Sequence, residues 1–283
     1  MGCILRTIHA SEIDKLTYQL CIKANCSISE DIKQCLDNAL IHSTGRQMDI
    51  LSILVENVEL AEQTSVPICQ DTGIVVVFLD IGQDVMVIDG GIEEAINNGV
   101  RRAYHDAYLR KSVVADPITR KNTGDNTPVM IHTRIVKGSS LKLIVMPKGS
   151  GGENMSSLWM FKPSDGINEI VSTIVMHVKQ VGAFSCPPLI IGVGIGGSFE
   201  VAPLLAKRAL LRQIGKTHPE PHIAEIEHKL LEKINKLRIG PAGLGGSPTA
   251  LSVNIETCAT HIASLPVAVN LCCYANRHCE GTI

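Results

Sequence analysis

The stretch SCPPLIIGVGIGGSFEVA, residues 185–202, sets an apolar run ahead of three glycines and a helical pattern behind them. Gly192, Gly194 and Gly197 satisfy G-x-G-x-x-G, the spacing of a dinucleotide-binding turn, although glycines so spaced serve any tight passage from strand to helix. A dinucleotide fold needs a second parallel strand after the helix, closing on an acidic residue about 20 positions past the glycines. Here VAPLLAKRALLR leads into the polar QIGKTHPEP and then another helix, and Glu220 stands between prolines. An oxidoreductase using a nicotinamide cofactor is therefore the weaker reading, and attention moves to Cys186, fixed ahead of Pro187 and Pro188, whose rings restrict the backbone and remove two N–H donors.

Outward from this stretch, the N-terminal residues read as helices. ISEDIKQCLDNALIHSTG offers Ser29 as N-cap and Gly45 as stop, and Met48, Leu51, Leu54, Val55, Val58 and Ala61 fall at helical spacing. Next, Pro67 to Gly73 forms a polar turn and Ile74 to Phe78 a buried strand. Ile92, Ala95, Ile96, Gly99, Val100, Ala103, Tyr104, Ala107 and Tyr108 trace one face of a helix that is expected to deliver Arg110 near its C-terminal end. VMIHTRIVKG and SLKLIVMPKG read as strands joined through Gly138, and the glycine-rich loop PKGSGGENMSS follows. A helix near 166–182 precedes the opening stretch. Beyond it, Ile226, Leu230, Ile234 and Leu237 keep helical phase before the strands ALSVNIETC and LPVAVNLCC. With no repeat and no linker, one α+β domain is expected over 1–283: a helical layer over 1–62, then a core of mixed or antiparallel sheet and helices over 63–283.

Composition narrows the function. At 283 residues and 45% hydrophobic content the chain can bury a sizeable core. A formal net charge of −2, with one Trp, four Tyr and four Phe, gives neither a basic stripe nor a stacking platform for nucleic acid. No run approaches the roughly 20 apolar residues of a membrane span, and MGCILRTIHA reads neither as a signal peptide nor, with Arg6 where Ser or Thr is wanted, as a myristoylation site. A soluble cytoplasmic protein is expected.

Ten cysteines without a secretory signal point to metal, redox or core use, and no C-x-x-C pair occurs. Cys69 lies between Pro67 and a polar turn, Cys186 before two prolines, and Cys272 and Cys273 between a strand and YANRHCEG. From spacing alone two readings stand: converging thiolates holding a cluster with one open iron, or inert small core residues.

CQDTG, KNTGDNTP, PKGSGGENMS, CPPLIIGVGIGG, LRQIGKTHP and CYANR, in this order from Cys69 to the C-terminus, together resemble the α subunit of the two-subunit, oxygen-sensitive class I iron–sulfur fumarate hydratases and the related L(+)-tartrate dehydratases. The resemblance implies a [4Fe–4S] cluster held by three cysteines, here Cys69, Cys186 and Cys273, with one iron open. Adjacent residues of an extended segment face opposite ways, so one of Cys272 and Cys273 reaches the cluster; Cys279 is an outside alternative. The resemblance also implies that Gln70, Asp71, Arg110, Gly151 and His261 meet a small dicarboxylate substrate, with Asp71 and His261 taking catalytic parts. Without it, Asp71 would cap its turn, Arg110 would be a solvated charge at a helix end and His261 a surface residue. The three glycines would let the backbone turn behind Cys186.

The implied reaction is reversible hydration of fumarate to L-malate, placed ahead of tartrate dehydration on the form of the KGSGGENMS loop. In this family the base lies in a K-G-x-T-T region on a separate β subunit. That pattern is absent from this sequence, so a β partner, in an α2β2 assembly, is expected. The reading from another class is a noncatalytic iron–sulfur or interaction subunit, which need not keep Gln70, Asp71, Arg110 and His261 together.

Overall fold

The computed structural model describes residues 5–283; Gly2 and Cys3 lie outside the described residues. In chain order the elements are β1 (Arg6–His9), α1 (Ala10–Cys26), α2 (Glu30–Ile41), α3 (Arg46–Thr64), β2 (Ile74–Gly82), β3 (Val85–Ile88), α4 (Ile92–Asp106), β4 (Met130–Val136), β5 (Leu141–Lys148), α5 (Ser150–Asn154), β6 (Ser157–Phe161), α6 (Gly166–Val181), β7 (Leu189–Gly196), α7 (Val201–Ala209), α8 (Pro221–Asn235), β8 (Ala250–Cys258), β9 (Leu265–Cys272) and β10 (Cys279–Thr282). Helices and mixed sheets together make the α+β class expected. Among the described residues no helix is long and apolar enough to cross a membrane.

The chain forms two compact units, each drawn from separated stretches. The first takes the chain up to Ile28, Val58–Ser150 and Arg277–Ile283, and the second takes Ser29–Asn57 and Gly151–Asn276. The helical segment expected over 1–62 is thus divided, with α1 in one unit and α2 in the other, and it opens on a strand, β1, which pairs in parallel with β3.

In the first unit the strand order is β10-β5-β2-β4. Central β2 buries Val75 to Leu79 without alternation, as a strand covered on both faces does. α1 and α4 cover one of those faces, that of Val75, Val77 and Leu79, with Ile13, Leu20, Ile96, Val100 and Tyr104. β4 and β5 follow one another but do not pair: they flank β2, parallel and antiparallel to it. Their connection crosses the end of β2 at Gly82, where a Cβ would lie 2.2 Å from the Gly138 carbonyl oxygen. α4 is shorter than its sequence pattern suggests. It stops at Asp106, Tyr108 turns left-handed at φ 54° and is 92% exposed, and Arg110 lies beyond the helix.

The loop before β4 is held by Asp125, which accepts the Thr127 N–H (3.0 Å) and hydroxyl (2.8 Å) and Arg101 Nε–H (2.8 Å). Partial burial pushes this carboxyl up, but the hydrogen bonds from Arg101 and Thr127 outweigh it and hold the pKa at about 2. A depressed folded pKa contributes stability that is present above the ordinary value near 4 and lost as pH falls through about 2. Asp125→Asn should therefore cost about 1–2 kcal/mol at neutral pH, discounted for solvent screening. The gap to wild type should narrow as pH falls below about 4. Urea melts at neutral and acid pH check this, and an equal gap at both would refute it.

In the second unit the order is β6-β9-β7-β8, with β7 antiparallel to β9 and parallel to β8. Leu189, Ile191 and Val193 of β7 join a core with Ile174 and Val178 of α6 and Leu230 and Ile234 of α8. The opposite face of the strand carries Gly192 and Gly194, and α7 lies on them: a Cβ would stand 2.0 Å from the Ala206 carbonyl oxygen at the first and 2.1 Å from that of Ala202 at the second. These two glycines admit a helix backbone onto the strand; they do not turn the chain behind Cys186. Only Gly197, at φ 72°, sits in the strand-to-helix turn. α7 and α8 together cross over from β7 to β8, so the strand that a dinucleotide fold places directly after its first helix is not there.

Candidate active site

In the first unit the turn Ile68–Gly73 is pinned from several sides. The Ile68 N–H donates to the Asn25 carbonyl at 3.0 Å. Buried Tyr104 donates its hydroxyl to the carbonyls of Thr72 (2.5 Å) and Gly73 (3.2 Å); burial pushes this phenol well above its ordinary pKa, so it stays a donor. Asn126 donates to Gly73 O at 3.2 Å. Gly73 must be glycine, since at φ 71° a Cβ would meet the Lys148 carbonyl at 2.5 Å. Within this frame Cys69 is half-buried and Gln70 exposed. The Cys69 thiol donates to Gln70 Oε1 at 3.4 Å, and its sulfur accepts the Asp71 N–H at 3.4 Å.

Asp71 serves as a clasp. Oδ1 accepts the Gly73 N–H at 3.0 Å, and Oδ2 accepts the Ser150 N–H (2.8 Å) and hydroxyl (3.1 Å), so the turn-capping role that Asp commonly plays is realised here. Thr72 donates to the Arg110 carbonyl at 2.9 Å, which ties the Arg110 main chain to the same turn while its side chain stays exposed. Cys69, Gln70, Asp71 and Arg110 are thereby brought together, and the Gly149–Ser150 stretch joins them.

In the second unit Cys186 follows the tight turn Gly182–Ser185 in a left-handed conformation, φ 54° and ψ 65°. A bulky residue rarely adopts this, and such strain gathers at functional positions. Its side chain is exposed. Cys272 ends β9 opposite Ile190 and is 6% exposed, while Cys273 lies just beyond the strand, half-buried, its thiol 3.8 Å from the Ala275 carbonyl. Gly152 packs onto this strand end: a Cβ there would lie 2.3 Å from the Leu271 carbonyl oxygen. Exposed Gly151, beside it in the short α5, has Phe184 O as its nearest neighbour, 3.8 Å from where a Cβ would sit. Cys186, Cys273 and Gly151 thus cluster around the N-terminal end of β7.

His261 does not join them. It sits in an exposed turn between β8 and β9, its Nδ1 accepting the Ala263 N–H at 3.1 Å. Its neighbour Thr260 donates to Gly197 O, past the far end of β7. Gly197, just past the end of β7, lies seven positions along the chain from Ile190, the partner of Cys272, or about 23 Å at the usual rise. Among the described residues no three His, Cys, Asp or Glu side chains form a compact site for a single metal ion.

The remaining cysteines differ in kind. Burial pushes the thiols of Cys21, Cys26, Cys35 and Cys279 up, with nearby Cys26 and Asp31 adding to the effect at Cys21 and Cys35, and Lys23 opposing it at Cys279. Thiols held protonated are poor ligands. The buried polar ring of Asn25, Tyr104, Asn126 and Arg277 around the Cys69 turn has no sequence signature beyond two of its members lying in GDNTP and CYANR.

Residues 14–282 match the family described as Fumarate hydratase (Fumerase). A protein of Methanocaldococcus jannaschii, provisionally named L(+)-tartrate dehydratase subunit alpha, is 42% identical over 273 residues, 94% of this chain and 95% of that one. The L(+)-tartrate dehydratase subunit alpha of Escherichia coli strain K12 is 33% identical over 259 residues, 90% of this chain and 84% of that one; the Shigella sonnei protein of the same name matches to the same extent. With a match that spans both cysteine-bearing units, the chain belongs to the fumarate hydratase family of hydro-lyases.

Proposed function

We propose that the chain is the α subunit of an oxygen-sensitive [4Fe–4S] fumarate hydratase, interconverting fumarate and L-malate together with a β subunit. The observation that carries this reading is the Cys69–Gly73 turn, a thiol, an amide and a carboxylate held on a rigid frame with the Arg110 main chain tied to it. Cys69, Cys186 and Cys273 would hold the cluster. All three stand at turns or element ends, and thiolates are the donors such clusters take. When bound, the cluster supplies one iron without a protein thiolate, a Lewis acid toward the hydroxyl and carboxylate of the substrate.

The chain's own residues bind and orient. Arg110, exposed and able to pair bidentately, grips a substrate carboxylate. Gln70 hydrogen-bonds the substrate, and Asp71 faces it from an orientation fixed by Gly73 and Ser150. Gly151 lets the substrate approach its main-chain N–H without a side chain between them. His261 receives no part, standing at the far end of β7. The base that moves the carbon proton belongs to the β partner, in its K-G-x-T-T region, in an α2β2 assembly in the cytoplasm.

A second reading, dehydration of L(+)-tartrate to oxaloacetate, is favoured by the names of the relatives. Anaerobic reconstitution with iron and sulfide, addition of the β partner and assay of malate and then L-tartrate tests both. Malate turnover that needs cluster and partner is the expected result. Tartrate turnover alone establishes the second reading. A cluster without turnover of either acid leaves a noncatalytic iron–sulfur subunit, and nicotinamide reduction without iron would restore the oxidoreductase.

A further inference from the structure

Arg277, four residues past Cys273, is 3% exposed. Nη2 donates to the Asp71 carbonyl at 2.7 Å, Nη1 reaches Asn25 Oδ1 at 3.4 Å, and buried Nε has no partner. It forms no ion pair among the described residues. Fully buried arginines are ordinarily paired with an anion, because an isolated charge is costly to take out of water. Two neutral oxygens leave this one short of negative charge. Asp71 is committed elsewhere, to Gly73 and Ser150, although Oδ2 and Arg277 Nη2 lie 3.1 and 3.4 Å from the point where a Cβ on Gly149 would sit. The guanidinium is thus packed behind the turn that presents Cys69, and the residue whose carbonyl it grips gives its N–H to the Cys69 sulfur.

We infer that Arg277 is a positioning residue for Cys69. It clamps the Asp71 main chain so that the Asp71 N–H meets the sulfur. The inference rests on Cys69 being a cluster ligand; hydrogen bonds and charge around a cluster's sulfurs are the levers by which a protein sets its retention and potential.

The test uses the full chain with Arg277→Gln and Arg277→Lys. In the cluster-free chain, the rate of Cys69 alkylation by iodoacetamide is read by mass spectrometry against exposed Cys258. Loss of the charged hydrogen bond to the Asp71 carbonyl releases the Asp71 N–H from the sulfur and should alter the Cys69 rate by about tenfold, while Cys258 stays constant. After anaerobic reconstitution, Arg277→Gln should retain less iron and sulfide and show a shifted reduction potential, with Arg277→Lys in between because the charge remains. A folded Arg277→Gln protein with unchanged alkylation, cluster content and potential would overturn the inference. If Arg277→Gln fails to fold, Arg277→Lys decides: it cannot reproduce the planar fork, so an unchanged Cys69 rate and potential overturn the inference and a change in either supports it. Should the wild-type chain take up no cluster, the reading of Cys69 as ligand falls, while the alkylation arm still judges the clamp.

Discussion

Serine at Cys273 should strip the chain of its cluster and, with the β partner present, cut malate turnover by about 10³-fold or more, the scale on which a Lewis-acid metal contributes to a reaction. Serine at Cys272 should leave both close to wild type. The distinction rests on one residue of register. Cys272 is the last residue of β9, paired opposite Ile190 and turned into the packed interior; Cys273, the next residue, leaves the sheet and is only half-buried. Cys279, the outside alternative, is a strand residue of β10 paired with Val145, and burial holds its thiol protonated against the pull of Lys23. Iron and sulfide content with visible absorbance, measured anaerobically on the three single serine variants, checks the assignment. Cluster loss in Cys272→Ser with retention in Cys273→Ser would shift the ligand by one position, and loss only in Cys279→Ser would move it to the other unit.

How much of this was legible in the sequence depends on the kind of information asked for. Faces were legible: the unbroken apolar run of β2 and the helical phase of α4 and α8 both correspond to buried surfaces. Neighbours were not. VMIHTRIVKG and SLKLIVMPKG follow each other yet flank β2, and the strands of ALSVNIETC and LPVAVNLCC flank β7, because periodicity reports which side of a strand is buried and nothing about which strand lies beside it. Tyr108 kept the helical phase and still lies outside α4, since one left-handed residue ends a helix whatever the pattern says.

The site divides along the same line. Cys69, Gln70 and Asp71 are contiguous, so their association needed only a turn. The part of the arrangement that cannot be read locally is what fixes the turn. Asn25, Tyr104, Asn126 and Arg277 are ordinary polar residues until folding buries them around it, and only then does each hydrogen bond matter energetically. His261 shows the converse: its position in a motif suggested a place near the third cysteine, but β9 carries the chain the length of the sheet between them.

Alanine at Gly192 and valine at Gly194 should each destabilise the chain by about 3 kcal/mol or more, the upper part of the range for overpacking, lowering its melting temperature by roughly 6–12 °C. Neither glycine has an unusual φ, so conformational freedom is not what each provides; space is. A Cβ would meet the carbonyl oxygens of Ala206 and Ala202 at 2.0 and 2.1 Å, and these are main-chain atoms of α7 that cannot swing aside. Relief requires lifting α7 from β7, which uncovers Ala202, Ala206 and Ala268 and disturbs the strand whose N-terminal end carries Cys186. The same substitutions separate the two readings of G-x-G-x-x-G. Glycines kept open for a pyrophosphate would take alanine with little loss of stability and lose nucleotide binding instead, because the space beside them belongs to the ligand. Glycines filled by a helix lose the fold first. Thermal melts of both variants followed by circular dichroism decide it: wild-type melting temperatures would mean that α7 does not press on the strand and would reopen the nucleotide reading.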